Sequence, residues 1–101
     1  MLANTQPAGI DLLGQLADVA AVRAIDRLGR PIVLARCDEV AISSALIGRA
    51  LRLEAWLVRE DDRDATVAAF AMLHESCGME RIAASGRFTF SILPIEKDPD
   101  A

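Results

Sequence analysis

The chain holds no tyrosine, one tryptophan and three phenylalanines among its 101 residues. With so few rings, an aromatic platform for stacking single-stranded nucleic acid is not expected, and Phe70, Phe88 and Phe90 are read as core. Cysteine and histidine are also scarce. Cys37 and Cys77 lie far apart with no CxxC, and the lone His74 stands in no HExxH. A zinc site takes about four nitrogen, sulfur or oxygen ligands, so no metal is expected. The glycines form neither GxGxxG nor GxxxxGKS, which leaves no phosphate loop, and no cofactor is expected. No apolar run approaches the roughly 18–20 residues of a membrane span, and Met1–Gly9 shows no basic stretch ahead of an apolar one. The reading is therefore of a cytoplasmic protein with reduced thiols and no membrane partner.

Hydrophobic residues make up 52% of the chain and the formal charge is −4. Three of the 15 acids and the only lysine lie in the tail EKDPDA, so the remainder is close to charge balance. The expected organisation is a flexible N-terminus over 1–8, one globular domain over 9–95 and an acidic flexible tail over 96–101. So short a chain with so much apolar surface is expected to form a homodimer.

Apolar residues from Ile10 to Leu28 recur at steps of three and four, which predicts an amphipathic helix closed by Gly29. Pro31 opens PIVLA, compatible with a strand or a first helical turn, and Asp38 is placed to cap a following helix. Ile42, Leu46, Ala50, Leu53 and Leu57 form a helical stripe at spacings of 4, 4, 3 and 4. That stripe predicts helix to about Ala55 and extended chain from Leu57. LEAWLV also alternates as a strand would, with Leu53, Ala55 and Leu57 on one side. The stretch ATVAAFAMLHESCG is read as a helix between an Asp64 cap and Gly78, although Thr66, Val67 and Phe70 tolerate a strand. ERIAASGRFTFSILPIE is read as a hairpin turning at Ser85-Gly86-Arg87. The fold expected is α+β, with three or four helices packed on a short antiparallel sheet or hairpin.

Taken as helix, AISSALIGRALRLEAWLVRE resembles the second half of a winged helix-turn-helix of the MarR type, with DDRDATV similar to the wing. The resemblance covers about residues 20–68 and implies a winged-helix transcriptional regulator that binds duplex DNA. Under it, Ser43, Ser44, Arg49, Arg52, Arg59 and Arg63 are the DNA-binding residues. Glu54, Glu60, Asp61, Asp62 and Asp64 would crowd that approach. The alternative is a non-enzymatic α+β interaction or regulatory module that homodimerises or takes a protein partner. His74 and Cys77, three apart, would share a helix face and could serve as metal ligands or as base and thiol. The preferred reading is a helix-end histidine and a small half-buried thiol. No catalytic residue is assigned and no enzyme is expected.

Overall fold

The computed structural model describes residues 8–43, 51–74 and 78–94. Helix α1 (Ala8–Leu28) is followed by β1 (Ile32–Ile42), β2 (Arg52–Glu60), β3 (Asp64–His74) and β4 (Glu80–Ile92). The four strands form one antiparallel sheet in the order β1-β4-β3-β2. The chain thus crosses from one sheet edge to the other between β1 and β2, then returns through two neighbouring pairs.

Helix α1 buries Leu12, Leu16, Ala20 and Ala24, a row at steps of four. Asp11 in its first turn and Arg27 in its last oppose the helix dipole. It stops where the periodicity predicts. Gly29 adopts φ 63° and its N–H donates to the Ile25 carbonyl at 2.8 Å. The helix lies across β2, β3 and β4 and touches β1 least.

Strand β3 alternates along its length. Ala65, Val67, Ala69, Ala71 and Leu73 are buried, while Thr66, Ala68, Phe70 and Met72 are half-buried on the opposite side. Ala20 and Ala24 of the helix share one core with Ala55, Ala69 and Ala71 of the sheet. Small side chains on both layers let the helix sit close to the sheet, and Leu16, Phe88 and Phe90 fill the remaining volume. The opposite, open face of the sheet is covered by none of the described elements.

This architecture corrects the expected one. A single described helix and a four-stranded sheet replace three or four helices on a short sheet. The helix expected through Ala55 is strand β2 from Arg52 onward, and residues 44–50 lie outside the described ones. Leu53 and Leu57, four apart, share a face in a strand as well as in a helix, so their spacing did not discriminate. The helix expected from Asp64 is strand β3. Alanine's helix propensity of a few tenths of a kcal/mol is outweighed by burial between α1 and two flanking strands. Gly78 does mark an element's end, at φ 90°, but it lies between two strands. Asp38 caps no helix; it sits within β1.

The hairpin expected at Ser85-Gly86-Arg87 is instead one continuous strand, β4. Gly86 serves packing there. A Cβ at this position would lie 3.1 Å from Phe88 Cε2, 3.2 Å from Cζ and 3.6 Å from Val40 Cγ2. Because Phe88 is fully buried, its ring has little room to yield. Gly86→Val is therefore expected to destabilise the fold by about 1–3 kcal/mol through overpacking, read as a lower urea midpoint. A midpoint equal to wild type would show that the ring moves aside.

Candidate functional site

Two surfaces carry clefts with chemically useful side chains. One runs between α1 and the free edge of β2, has a volume of about 360 Å³, and is lined by Val19, Val22, Arg23, Asp26, Leu53 and Glu54 together with Ala55. Its walls are largely apolar and the Asp26 carboxylate stands at it, while the Glu54 side chain turns to the opposite sheet face with Arg52 and Trp56. The Arg23 Nε donates to the Ala55 carbonyl at 3.0 Å, tying the helix to the strand edge. No described side chain engages Asp26. Glu54 is occupied: it accepts from the Arg52 guanidinium and, at 3.2 Å, from the Trp56 indole N–H.

The second cleft, about 400 Å³, opens on the uncovered sheet face. Arg36, Arg59 and Arg87 surround Thr66 and Thr89, whose hydroxyls lie 3.2 Å apart. Each of these arginines has its own carboxylate. Arg36 pairs with Asp38 at 2.7 Å, Arg87 with Glu39 at 3.0 Å and Arg59 with Asp61 at 3.9 Å. The arrangement is polar but locally neutralised, so it does not present a field of one sign.

Further along the open face, Arg52 bridges the sheet. It donates to Glu80 from Nε at 3.1 Å and from Nη2 at 2.7 Å, passing over the intervening β3. This two-point contact holds the Glu80 carboxyl below its usual range and raises the Arg52 guanidinium above its own. The Asp61 carboxyl is also lowered, first because its Oδ1 accepts the backbone N–H groups of Arg63 at 2.8 Å and Asp64 at 2.9 Å. A carboxyl whose folded pKa is lowered adds stability above its unfolded pKa and loses it as pH falls through the folded value. Glu80→Gln should therefore lower the thermal midpoint at pH 7, with the gap to wild type closing as pH drops below about 4. A gap that stays constant down to pH 2 would rule out the carboxylate pairing as its source.

Of the residues expected to bind DNA, the described ones lie on no helix. Arg52 and Arg59 lie on strand β2, Arg63 lies in the β2–β3 turn, and Ser43 follows β1. Ser44 and Arg49 fall outside the described residues. Arg52 and Arg59 are engaged with carboxylates, as described above. His74 ends β3 and is exposed, Cys37 is exposed on β1, and Cys77 lies outside the described residues. Among the described residues no group of three or more His, Cys, Asp or Glu is placed to hold a metal. No described helix is long and apolar enough to cross a membrane. Asp26 of the α1–β2 groove went unnoticed because it carries no local motif and the residues of β2 beside it lie far away in sequence.

The same arrangement of helix and sheet occurs in solved structures. The chain is similar to an acyl-CoA hydrolase from Staphylococcus aureus in complex with butyryl coenzyme A, coenzyme A and coenzyme A disulfide: TM-score 0.78, 22% identity, 90% of this chain and 57% of that one. It is similar to an acyl-CoA hydrolase from Bacillus cereus, with TM-score 0.74 and 23% identity over 90% of this chain and 57% of that one. A hexameric thioesterase from Yersinia pestis matches with TM-score 0.71 and 18% identity, covering 85% of this chain and 71% of that one. The chain thus spans a little over half the length of the two hydrolases. No family model matches the sequence, and no curated protein matches it.

These likenesses establish the hotdog fold, an antiparallel sheet packed around one long helix. They overturn the winged-helix resemblance and the DNA-binding regulator drawn from it. The expectation of a non-enzymatic protein falls with them, since the fold is one that acyl-CoA hydrolases carry. The misleading signal was the Leu/Ala/Arg pattern of residues 42–57, of which strand β2 uses the part from Arg52 onward in alternation.

Proposed function

We propose that the protein hydrolyses acyl-CoA thioesters. The observation that carries this reading is the fold shared with acyl-CoA hydrolases over 85–90% of this chain. The α1–β2 groove supports it chemically. Val19, Val22 and Leu53 offer an apolar wall for an acyl chain, in a volume within the usual range of small-molecule sites. Hydrolysis of a thioester needs a water made nucleophilic by a base within hydrogen-bond reach. Asp26 is the carboxylate of the groove that no described cation occupies, and it takes that role. Water attacks the thioester carbonyl as Asp26 accepts its proton, and as the C–S bond breaks Asp26 returns that proton to the departing sulfur, releasing the carboxylic acid and the CoA thiol.

Self-association belongs to the same proposal. Strand β1 is an 11-residue sheet edge that α1 scarcely covers, and Leu34 on it is 46% exposed. Long apolar edges template pairing with another strand, so a homodimer forms by pairing β1 of two copies. A cytoplasmic setting, expected from the sequence, remains part of this proposal.

The test is chromatographic measurement of free acid and CoA from a series running from acetyl- to palmitoyl-CoA. Multiple turnovers on at least one member are expected. Rates equal to the protein-free blank across the series would overturn the hydrolase reading. Separately, Leu34→Lys should weaken edge pairing in sedimentation, and an unchanged mass would remove β1 as the contact.

A further inference from the structure

One row of side chains crosses the whole sheet on its open face. Arg36 of β1 pairs in register with Thr89 of β4, Thr89 with Thr66 of β3, and Thr66 with Arg59 of β2. Two hydroxyls thus lie at the centre of the row, and a guanidinium stands at each end. Adjacent strands are about 4.8 Å apart, so the backbones of Arg36 and Arg59 are roughly 14 Å from one another. Arg87, two residues before Thr89 on β4, completes the rim of the cleft of about 400 Å³.

We propose that this cleft binds a phosphorylated small molecule, its phosphate seated over the Thr66–Thr89 pair between the three guanidiniums. The site lies on the sheet face away from α1, and the proposal is independent of the hydrolase reading. Hydrogen-bond donors are what the cleft has in excess. Arg36 and Arg87 each spend Nε on a carboxylate, and their Nη groups have no partner among the described residues. Arg59 reaches Asp61 only at 3.9 Å, beyond hydrogen-bond range. One threonine hydroxyl donates to the other, so one O–H of the pair remains for a ligand. Against three guanidiniums the lining sets two carboxylates, Asp38 and Glu39. Attraction at long range is weak in such a setting, while donors at contact are plentiful. A carboxylate has two oxygens and is filled by one guanidinium fork. A phosphate has more oxygens and engages all three arginines. The volume lies within the range of small-molecule sites, so it admits the group that bears the phosphate as well.

The backbone is shaped around the same place. Strand β1 has an extra residue on each side of the Arg36–Asp38 pair, and β2 has one just before Arg59. Bulges re-aim side chains and are frequent beside functional sites. Glu39 lies within one of them and is the one described non-glycine residue with positive φ, at 53°. Strain of that kind persists where its surroundings over-determine it, and it clusters at ligand clamps. Thr89 is the one polar side chain buried among the described residues, at 8% exposure. A hydroxyl sunk beneath three arginines is a floor for an anion.

The test is calorimetric titration of the full-length protein at about 50 mM salt, where contacts with an anion are screened less than at physiological strength. The probes are inorganic pyrophosphate, ADP, CoA and unphosphorylated pantetheine. Saturable binding of pyrophosphate and ADP is expected, and none of pantetheine. Arg36→Gln and Arg87→Gln should each weaken ADP binding by roughly tenfold or more, the usual loss with a charge-assisted hydrogen bond. Thr66→Val, which leaves the charge unchanged, should weaken it severalfold, and Asp38→Asn should strengthen it. Arg52→Gln is the control, since Arg52 shares the face but is held by Glu80 outside the cleft; it should leave ADP binding unchanged. CoA that displaces ADP assigns the phosphate to the nucleotide end of that carrier, and ADP that CoA does not displace assigns it to a free phosphorylated metabolite. Either result upholds the site. No saturation by pyrophosphate or ADP up to about 5 mM, a limit passed only by affinities weaker than millimolar, would overturn the proposal. Equal losses in Arg36→Gln and Arg52→Gln would overturn it too, by showing attraction to the face as a whole.

Discussion

Asp26→Asn should cut acyl-CoA turnover by about 10²–10⁴-fold, the usual contribution of a positioned general base. The substitution keeps the shape of the side chain and removes its basicity. Asp26 lies near the end of α1, on a helix whose buried row anchors it to the sheet, so the change should not disturb the fold. Substrate binding should change little, because the apolar wall of Val19, Val22 and Leu53 is untouched. The loss should therefore appear in kcat rather than KM. Glu54→Gln is the matched control. Glu54 already accepts from Arg52 and Trp56, so its replacement should cost far less activity. If Asp26→Asn stays within about threefold of wild type, a margin of roughly 0.7 kcal/mol in barrier, Asp26 is not the base. If Glu54→Gln then shows the large loss, the roles are reversed.

The largest effect on stability is expected at Phe88. Its side chain is 1% exposed and belongs to the core shared by α1, β3 and β4. Phe88→Ala should destabilise by about 3–5 kcal/mol, combining lost apolar burial with the cavity left behind. For a domain of this size that is a large part of the usual stability of about 5–15 kcal/mol. Gly86 makes the prediction sharper. Its missing Cβ is the space beside the Phe88 ring, so Gly86→Val in the Phe88→Ala background should recover part of the loss. Coupling between two residues in contact is expected at about 0.5–3 kcal/mol. Strict additivity of the two changes in urea denaturation would show that the ring and the glycine are not packed as a unit.

The helix, its end and the polarity of its faces are legible in the residues alone. Leu12, Leu16, Ala20 and Ala24 repeat every four residues across most of the helix, and a 21-residue amphipathic run has no strand alternative. Gly29 was legible as a helix stop, and it takes positive φ there; Gly78, read as a helix end, takes positive φ between two strands instead. The middle of the chain was not legible, for a reason of geometry. Leu53 and Leu57 satisfy both periods, and alanine-rich DATVAAFAMLH carries helix propensity into a strand.

Long-range packing settles that stretch. Ala65, Val67, Ala69 and Ala71 can be strand because a helix lies directly above them and strands flank both sides. Gly86 follows the same logic. Local chemistry suggests a turn, while a phenylalanine two residues later needs its empty Cβ position. The candidate site was out of reach for a related reason. Asp26 on α1 comes to stand over Leu53 and Ala55 of β2 only when the helix is laid over the sheet. Asp26 carries no local motif, so its place in the groove is a property of long-range packing.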